Sequence, residues 1–239
     1  MAYDIGVQIY TYRDFALEEV CAELADTDVT AIELMDTHLA PDADDAAVES
    51  ALTALDEAGI EVRGYYGGSF DAEGLDDARE RFAFAGELGA DYVSCDFPPD
   101  LAPEVAEIAA EHDLLVGVHN HGPSARYRTV EDVLAAVEDA PERIGACIDT
   151  GHFLRMDETP AEVVPALGEY AHAVHVKDFV DADTEVVPEE GRLDLAELVD
   201  LLDEHADIAT PLTIEYEADF ENPTPAVVRT ARRLVEIQR

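Results

Sequence analysis

Four short stretches in the second half of the chain gather side chains that bind metals and move protons. They are Gly117-Val118-His119-Asn120-His121, Cys147-Ile148-Asp149-Thr150-Gly151-His152, Val174-His175-Val176-Lys177-Asp178 and Thr213-Ile214-Glu215-Tyr216-Glu217. Imidazole and carboxylate together make a mixed nitrogen and oxygen donor set, which suits one divalent ion of Mn, Co, Mg, Fe or Zn. His119, Asp149, His175 and Glu215 are the candidate metal ligands. Lys177 is the only lysine of the chain, and a mobile ammonium can bond a substrate hydroxyl or carbonyl and stabilise an enolate in ways a guanidinium does not. Asp178 is placed to pair with it, or to accept a hydrogen bond from behind His175.

Each stretch is an apolar run that ends in polar residues, so the chemistry sits at strand ends. Side chains alternate along a strand, and His119 therefore shares a face with His121, His175 with Lys177, and Glu215 with Glu217. Each pair can supply one ligand and one neighbour that reaches substrate. Glu215, His119, Lys177 and His152 are the candidate catalytic residues. His121, Glu33, Asp96, Glu217 and Arg192 are the candidate substrate contacts, Glu33 and Asp96 because they end earlier strands. Arg126, Arg128 and Arg155 could hold a phosphate or carboxylate, although surface ion pairing is the duller account of each. His172 and His205 read as ordinary, and His38 and His112 as loop or helix-end residues.

The elements that must position these residues alternate in a regular way. Short β-rich runs at Ile5–Tyr10, Ala31–Leu34, Glu61–Tyr66, Tyr92–Cys95, Leu115–His119, Ile144–Asp149, Ala173–Lys177 and Leu212–Tyr216 are separated by segments of helical period. The helices are expected at Leu17–Ala25, Asp45–Ala58, Leu75–Leu88, Pro103–His112, Val130–Asp139, Pro160–Leu167, Leu193–His205 and Thr224–Gln238, with Thr129 and Asp194 as start signals and Gly59 and Gly89 as caps. Eight βα units in 239 residues predict an α/β fold, a (β/α)₈ TIM barrel forming a single domain over residues 1–239, whose active face lies at the strand C-termini. An open doubly wound sheet would carry a glycine-rich fingerprint after its first strand, where Gln8-Ile9-Tyr10-Thr11 stands instead. The longest irregular connection, Asp178 to Arg192, is expected to lie over that face as a lid.

The chain has 56 acidic against 14 basic residues and a net charge of −42, spread along its length. Such a surface stays hydrated in concentrated salt, where charge repulsion is screened, and points to a halophile. It disfavours nucleic acid, whose phosphates demand Lys and Arg. The three cysteines follow no paired spacing, which argues against a disulfide framework or a Cys-rich zinc site. With no basic leader and no apolar run of membrane length, a cytoplasmic protein without a membrane partner is expected, and a homo-oligomer is left open.

The motifs in this order resemble the xylose-isomerase-like barrel superfamily of sugar phosphate isomerases and epimerases, which includes ketose 3-epimerases, hydroxypyruvate isomerase, inosose dehydratase and the endonuclease IV enzymes. The resemblance begins at Gly6-Val7-Gln8-Ile9-Tyr10, passes through Ala31-Ile32-Glu33-Leu34 and is strongest at Asp149-Thr150-Gly151-His152, His175-Val176-Lys177-Asp178 and Ile214-Glu215-Tyr216-Glu217. It implies a metal held by residues at the ends of strands five to eight, matched here by Asp149, His175 and Glu215. At the first of those positions many relatives carry Glu-Asn-His, and this chain has His119-Asn120-His121, a form closer to the inosose-dehydratase-like branch. The implied activity is isomerisation or epimerisation of a small sugar or polyol by enolisation. Its rivals are a lyase of inosose-dehydratase or 3-keto-sugar type and a barrel that binds sugar without catalysis. An endonuclease IV-like nuclease would want further early-strand histidines and a basic face, and neither is present.

Overall fold

The computed structural model describes residues 2–239. Eight parallel strands close on themselves in the order β1 (Ile5–Gln8), β2 (Ala31–Leu34), β3 (Glu61–Ser69), β4 (Tyr92–Asp96), β5 (Leu115–His119), β6 (Ile144–Asp149), β7 (Ala171–Val176) and β10 (Leu212–Ile214), and β10 pairs back with β1 through Gly6 and Thr213. The (β/α)₈ barrel expected from the alternation is the observed fold. Around it run α1 (Leu17–Leu24), α2 (Asp45–Ala58), α3 (Leu75–Glu87), α4 (Ala102–Glu111), α5 (Val130–Val137), α7 (Pro160–Leu167), α8 (Leu195–His205) and α9 (Thr224–Ile237).

The main apolar core fills the shell between strands and helices. α9 shows how the pattern is satisfied: Val227, Thr230, Ala231 and Leu234 are buried at helical spacing, and arginines take the other face. Helix starts follow the sequence signals. The Thr129 hydroxyl accepts the Asp132 N–H while the Asp132 carboxylate accepts the Thr129 N–H, both at 3.2 Å. Gly59 and Gly89 end their helices at φ of 72° and 81°, the left-handed conformation that favours glycine.

Three departures from expectation shape the active face. β1 stops at Gln8, because the Gln8 side-chain oxygen accepts the Tyr10 N–H at 2.5 Å and turns Ile9–Tyr12 into a 3₁₀ segment. The eighth strand stops at Ile214, because the Tyr216 N–H donates to the Thr11 hydroxyl instead of a ladder. After Asp149 the chain enters α6 (Thr150–Leu154) directly, so His152 rides on a helix rather than a loop. The long connection after β7 contains a small antiparallel hairpin, β8 (Asp178–Phe179) with β9 (Glu185–Val186). No helix among the described residues is long and apolar enough to cross a membrane.

Candidate metal centre

Strands β5, β6, β7 and β10 are neighbours, and their register sets His119 opposite Cys147 and Asp149 opposite His175. Ligand atoms of His119, Asp149, His175 and Glu215 all lie within 4.8 Å of one another, and all four residues are buried. His119 Nε2 is 2.9 Å from His175 Nδ1, which is 3.0 Å from Glu215 Oε2.

The connecting residues explain why the motifs read as they do. Asn120 ties the ends of β5 and β6 together, accepting the Asp149 N–H at 2.8 Å and donating to the Asp149 carbonyl at 3.1 Å. One Asp149 oxygen, Oδ1, caps α6 by accepting the His152 N–H at 2.8 Å. The Thr150 hydroxyl donates to the Lys177 carbonyl at 2.7 Å and accepts its N–H at 3.0 Å. A side chain at Gly151 would come within 2.8 Å of Lys177 Cβ, so glycine lets α6 pack on the end of β7. The fourth residue of the motif, His152, then faces the cavity.

Asp149 Oδ2 is left over. It is buried, and no hydrogen-bond donor among the described residues reaches it. An orphaned carboxylate oxygen in a protein interior is costly unless a cation meets it, and here it stands among three other ligand-type residues. Burial and the Glu215 carboxylate push Asp149 up from the usual carboxylate range, and burial holds His119 well below the usual imidazole value and therefore neutral, as a ligand must be. Burial opposes protonation of His175, yet Cys147 and Glu33 beside it carry its pKa well above the ordinary value. The site thus demands positive charge, and the residues present fit a divalent ion.

Support comes from below. His175 Nε2 is 2.9 Å from Glu33 Oε2, and Glu33 also accepts the Tyr92 and Ser94 hydroxyls, both at 2.6 Å. A carboxylate at Nε2 fixes the proton there and turns the Nδ1 lone pair to the centre. Glu33 is 1% exposed, so the substrate contact expected of it is corrected: its oxygens are consumed beneath the candidate ligands, by His175, Tyr92 and Ser94.

Lys177 lies 3.1 Å from Glu215 Oε1, bonds the Glu217 carboxylate, and stands 3.9 Å from Glu185 on β9. Burial alone would lower its pKa, but Glu215, Asp149, Glu185 and Glu217 outweigh it and raise the value, so the ammonium stays charged. The expected partnership with Asp178 is corrected too. Asp178 accepts backbone N–H groups of Gly191 and Arg192 at 2.8 Å and of Leu193 at 2.9 Å, closing the base of the hairpin loop.

A cavity of 330 Å³ opens over this centre, lined by His119, His121, His152, His175, Glu215 and Glu217 together with Gln8, Tyr10, Met35 and Tyr66. Two of the expected substrate contacts lie elsewhere. Asp96 is paired with Arg126, and Arg192 is spent on Asp157 at 2.9 Å and on the Leu154 and Phe179 carbonyls. The lining residues from the first three strands were not singled out beforehand. Gln8 and Tyr10 stood in the quoted first motif and Tyr66 at the end of an expected strand, whereas Met35 carried no signal.

The comparisons with known proteins agree with this architecture. The profile described as xylose isomerase-like TIM barrel matches residues 21–237. The chain belongs to that family. No curated protein matches it significantly in sequence. Among solved structures, the IOLI protein with a binding zinc atom superposes with a TM-score of 0.77 at 15% identity, covering 98% of each chain. A D-psicose 3-epimerase in the presence of D-fructose gives a TM-score of 0.78 at 13% identity, over 99% of this chain and 98% of that one. The probable 3-DHS dehydratase AsbF, involved in petrobactin synthesis, from Bacillus anthracis gives 0.75 at 15% identity, over 98% and 99%. An epimerase and a probable dehydratase thus share this barrel fold.

Proposed function

We propose that this protein is a divalent-metal-dependent isomerase or epimerase that enolises a small keto or aldo sugar or polyol derivative. The observation that carries the reading is the unpartnered Asp149 Oδ2 facing His119, His175 and Glu215, at the floor of a cavity of 330 Å³, the lower end of the range for small ligands. His119, Asp149, His175 and Glu215 would hold the ion, which when bound would polarise a substrate carbonyl and its neighbouring hydroxyl.

Hydrogen-bond logic assigns the rest. With His119 Nε2 turned to the ion, its Nδ1 carries the proton and donates across 3.4 Å to His121 Nδ1, which leaves His121 Nε2 as a donor. Arg155 can only donate, so its 3.3 Å contact to His152 Nδ1 leaves His152 Nε2 protonated as well. Two neutral imidazoles therefore offer N–H groups to substrate oxygens. The carboxylate with the freer face is Glu217, whose side chain is 27% exposed against 10% for Glu215. Glu217 takes the proton at the carbon next to the carbonyl, and Lys177 steadies the charge that develops.

Both cavity carboxylates come from the end of β10, and the opposite wall is imidazole. That asymmetry favours proton transfer on one face, which serves isomerisation and equally a β-elimination in which His152 protonates a departing hydroxyl. A hydro-lyase is thus the second reading.

The test is metal content of protein purified without chelator, compared with Asp149→Ala and Glu215→Ala, followed by deuterium uptake from D₂O into ketoses, inososes and keto-sugars. About one equivalent of metal in the wild type, lost in both variants, with deuterium entering one sugar carbon, supports the reading. No metal after incubation with Mn²⁺ overturns it in favour of a non-catalytic sugar-binding barrel.

A further inference from the structure

Arg155, which contacts His152 of the cavity wall, has no acidic partner among the described residues. In a chain of 56 acidic and 14 basic residues, a guanidinium should find a carboxylate readily. The others near the cavity do: Arg13 meets Glu217 at 3.3 Å, Arg126 meets Asp96, Arg192 meets Asp157, and Lys177 meets Glu215 and Glu217. Arg155 instead donates from Nε to the Ala182 carbonyl of the hairpin at 2.8 Å, lies over the Phe179 ring at 5.2 Å, and touches His152 Nδ1 through Nη1. Those contacts are all neutral. They fix the plane of the guanidinium while Nη2 makes no hydrogen bond among the described residues.

The neighbourhood leaves room for this placement. A Cβ on Gly122 would fall 2.3 Å from Arg155 Nη1, so the turn after His121 is shaped to let the guanidinium pass. His152 lines the cavity, which places Arg155 one imidazole ring away from the space a substrate would occupy and against the hairpin, through the Ala182 carbonyl.

We infer that Arg155 binds a carboxylate on the substrate, so that the sugar or polyol of the proposed reaction is an acid, a polyhydroxy aldonate or uronate, held with its anionic end at the hairpin side of the cavity. The inference rests on the proposed function. With Nε and one N–H of Nη1 engaged, the guanidinium still offers the second N–H of Nη1 beside those of Nη2, a parallel pair that matches a carboxylate, and a single free cation suits a monoanion. A phosphate carries about −1.5 to −2 charges and would find one guanidinium here, because Lys177 and Arg13 are already neutralised by Glu215 and Glu217. Its anionic end lies away from the metal ring, so the acid group is not the reacting carbonyl.

The experiment is a calorimetric titration of the metal-loaded protein, at the lowest salt that keeps it folded, with three matched panels: uronates and aldonates, the corresponding neutral sugars, and the corresponding sugar phosphates. The expected result is tighter binding of at least one acid than of its neutral and phosphorylated counterparts. Arg155→Met should weaken that acid at least tenfold and the neutral sugar far less, since the neutral sugar loses only the orientation that Arg155 gives to His152. Gly122→Ala, which displaces the guanidinium without removing it, should act in the same direction. Equal binding of acid and neutral sugar, or acid binding indifferent to Arg155→Met, would overturn the inference and leave the proposed function standing. Tighter phosphate binding would overturn the carboxylate assignment. Metal-loaded protein that binds no member of any panel would overturn the proposed function, and this inference with it.

Discussion

His175 is held between two carboxylates, with Nε2 at 2.9 Å from Glu33 and Nδ1 at 3.0 Å from Glu215, and the two contacts have different jobs. Glu33 fixes the ring from below, and Glu215 shares the ligand position above. Glu33→Gln keeps the size and can still hydrogen-bond Tyr92 and Ser94, but it removes the charge that orients the imidazole. Metal affinity is expected to fall about 10- to 100-fold. Competition with a fluorescent chelator measures it, and an unchanged affinity would show that Glu33 serves only the barrel interior.

The two carboxylates at the end of β10 should separate by phenotype. Glu215→Gln is expected to lose metal. Glu217→Gln should retain it, since Glu217 is outside the ligand cluster, and lose deuterium exchange at the substrate carbon by about 10²- to 10⁴-fold. If Glu217→Gln exchanges normally, the proton is moved by another group.

The barrel and the metal cluster were legible in the sequence for the same reason. A strand that ends at the active face must turn from apolar to polar at its last residue, and His119, Asp149 and His175 sit at or next to the ends of β5, β6 and β7. Glu33 and Asp96 obey the same rule, yet one is drawn under the site by Tyr92 and Ser94 and the other is taken by Arg126. A strand-end position says which way a carboxylate points, and nothing about which partners reach it first. Glu185 was illegible because loops and hairpins have no periodicity, and Arg155 stood out only as one of several arginines that could hold an anion. That Arg155 escapes pairing depends on where every neighbouring acid has gone, which only coordinates show.

Lys177 is 1% exposed and stands among three carboxylates. Lys177→Met would leave Glu215, Glu217 and Glu185 facing each other, and breaking a buried charge network by removing one partner costs about 3–5 kcal/mol. Denaturant melts of wild type and variant should show this loss. Lys177→Arg keeps the charge but puts a larger planar fork where a compact ammonium is fully buried, and it is expected to recover stability only in part.

With a net charge of −42, the proposed halophily has a direct test. Raising KCl from about 0.1 M to 1 M shortens the Debye length from about 10 Å to about 3 Å. The unfolding midpoint should climb across that range, and a flat response would remove the case for salt adaptation.

Glu185 ties the hairpin to the barrel, accepting the Glu217 N–H at 2.6 Å with one oxygen while the other stands 3.9 Å from Lys177. Burial pushes its pKa up to about 7, against the opposing pull of Lys177 and the Glu217 N–H. In the unfolded chain the same group titrates at about 4.3. Between those values the folded protein binds more protons than the unfolded one, so stability must fall as pH rises from the unfolded value through the folded one. The upper bound is about 4 kcal/mol, from 1.36 kcal/mol per pKa unit. Glu185→Gln keeps a carbonyl for the Glu217 N–H and removes the titration. Wild type should lose stability relative to this variant between pH 5 and pH 8, with amide exchange in Val180–Val186 rising in step, because the ionised carboxylate is better solvated when the hairpin lifts. Parallel pH profiles for the two proteins would mean that Glu185 is already ionised at pH 5 and that Lys177, rather than burial, governs its charge.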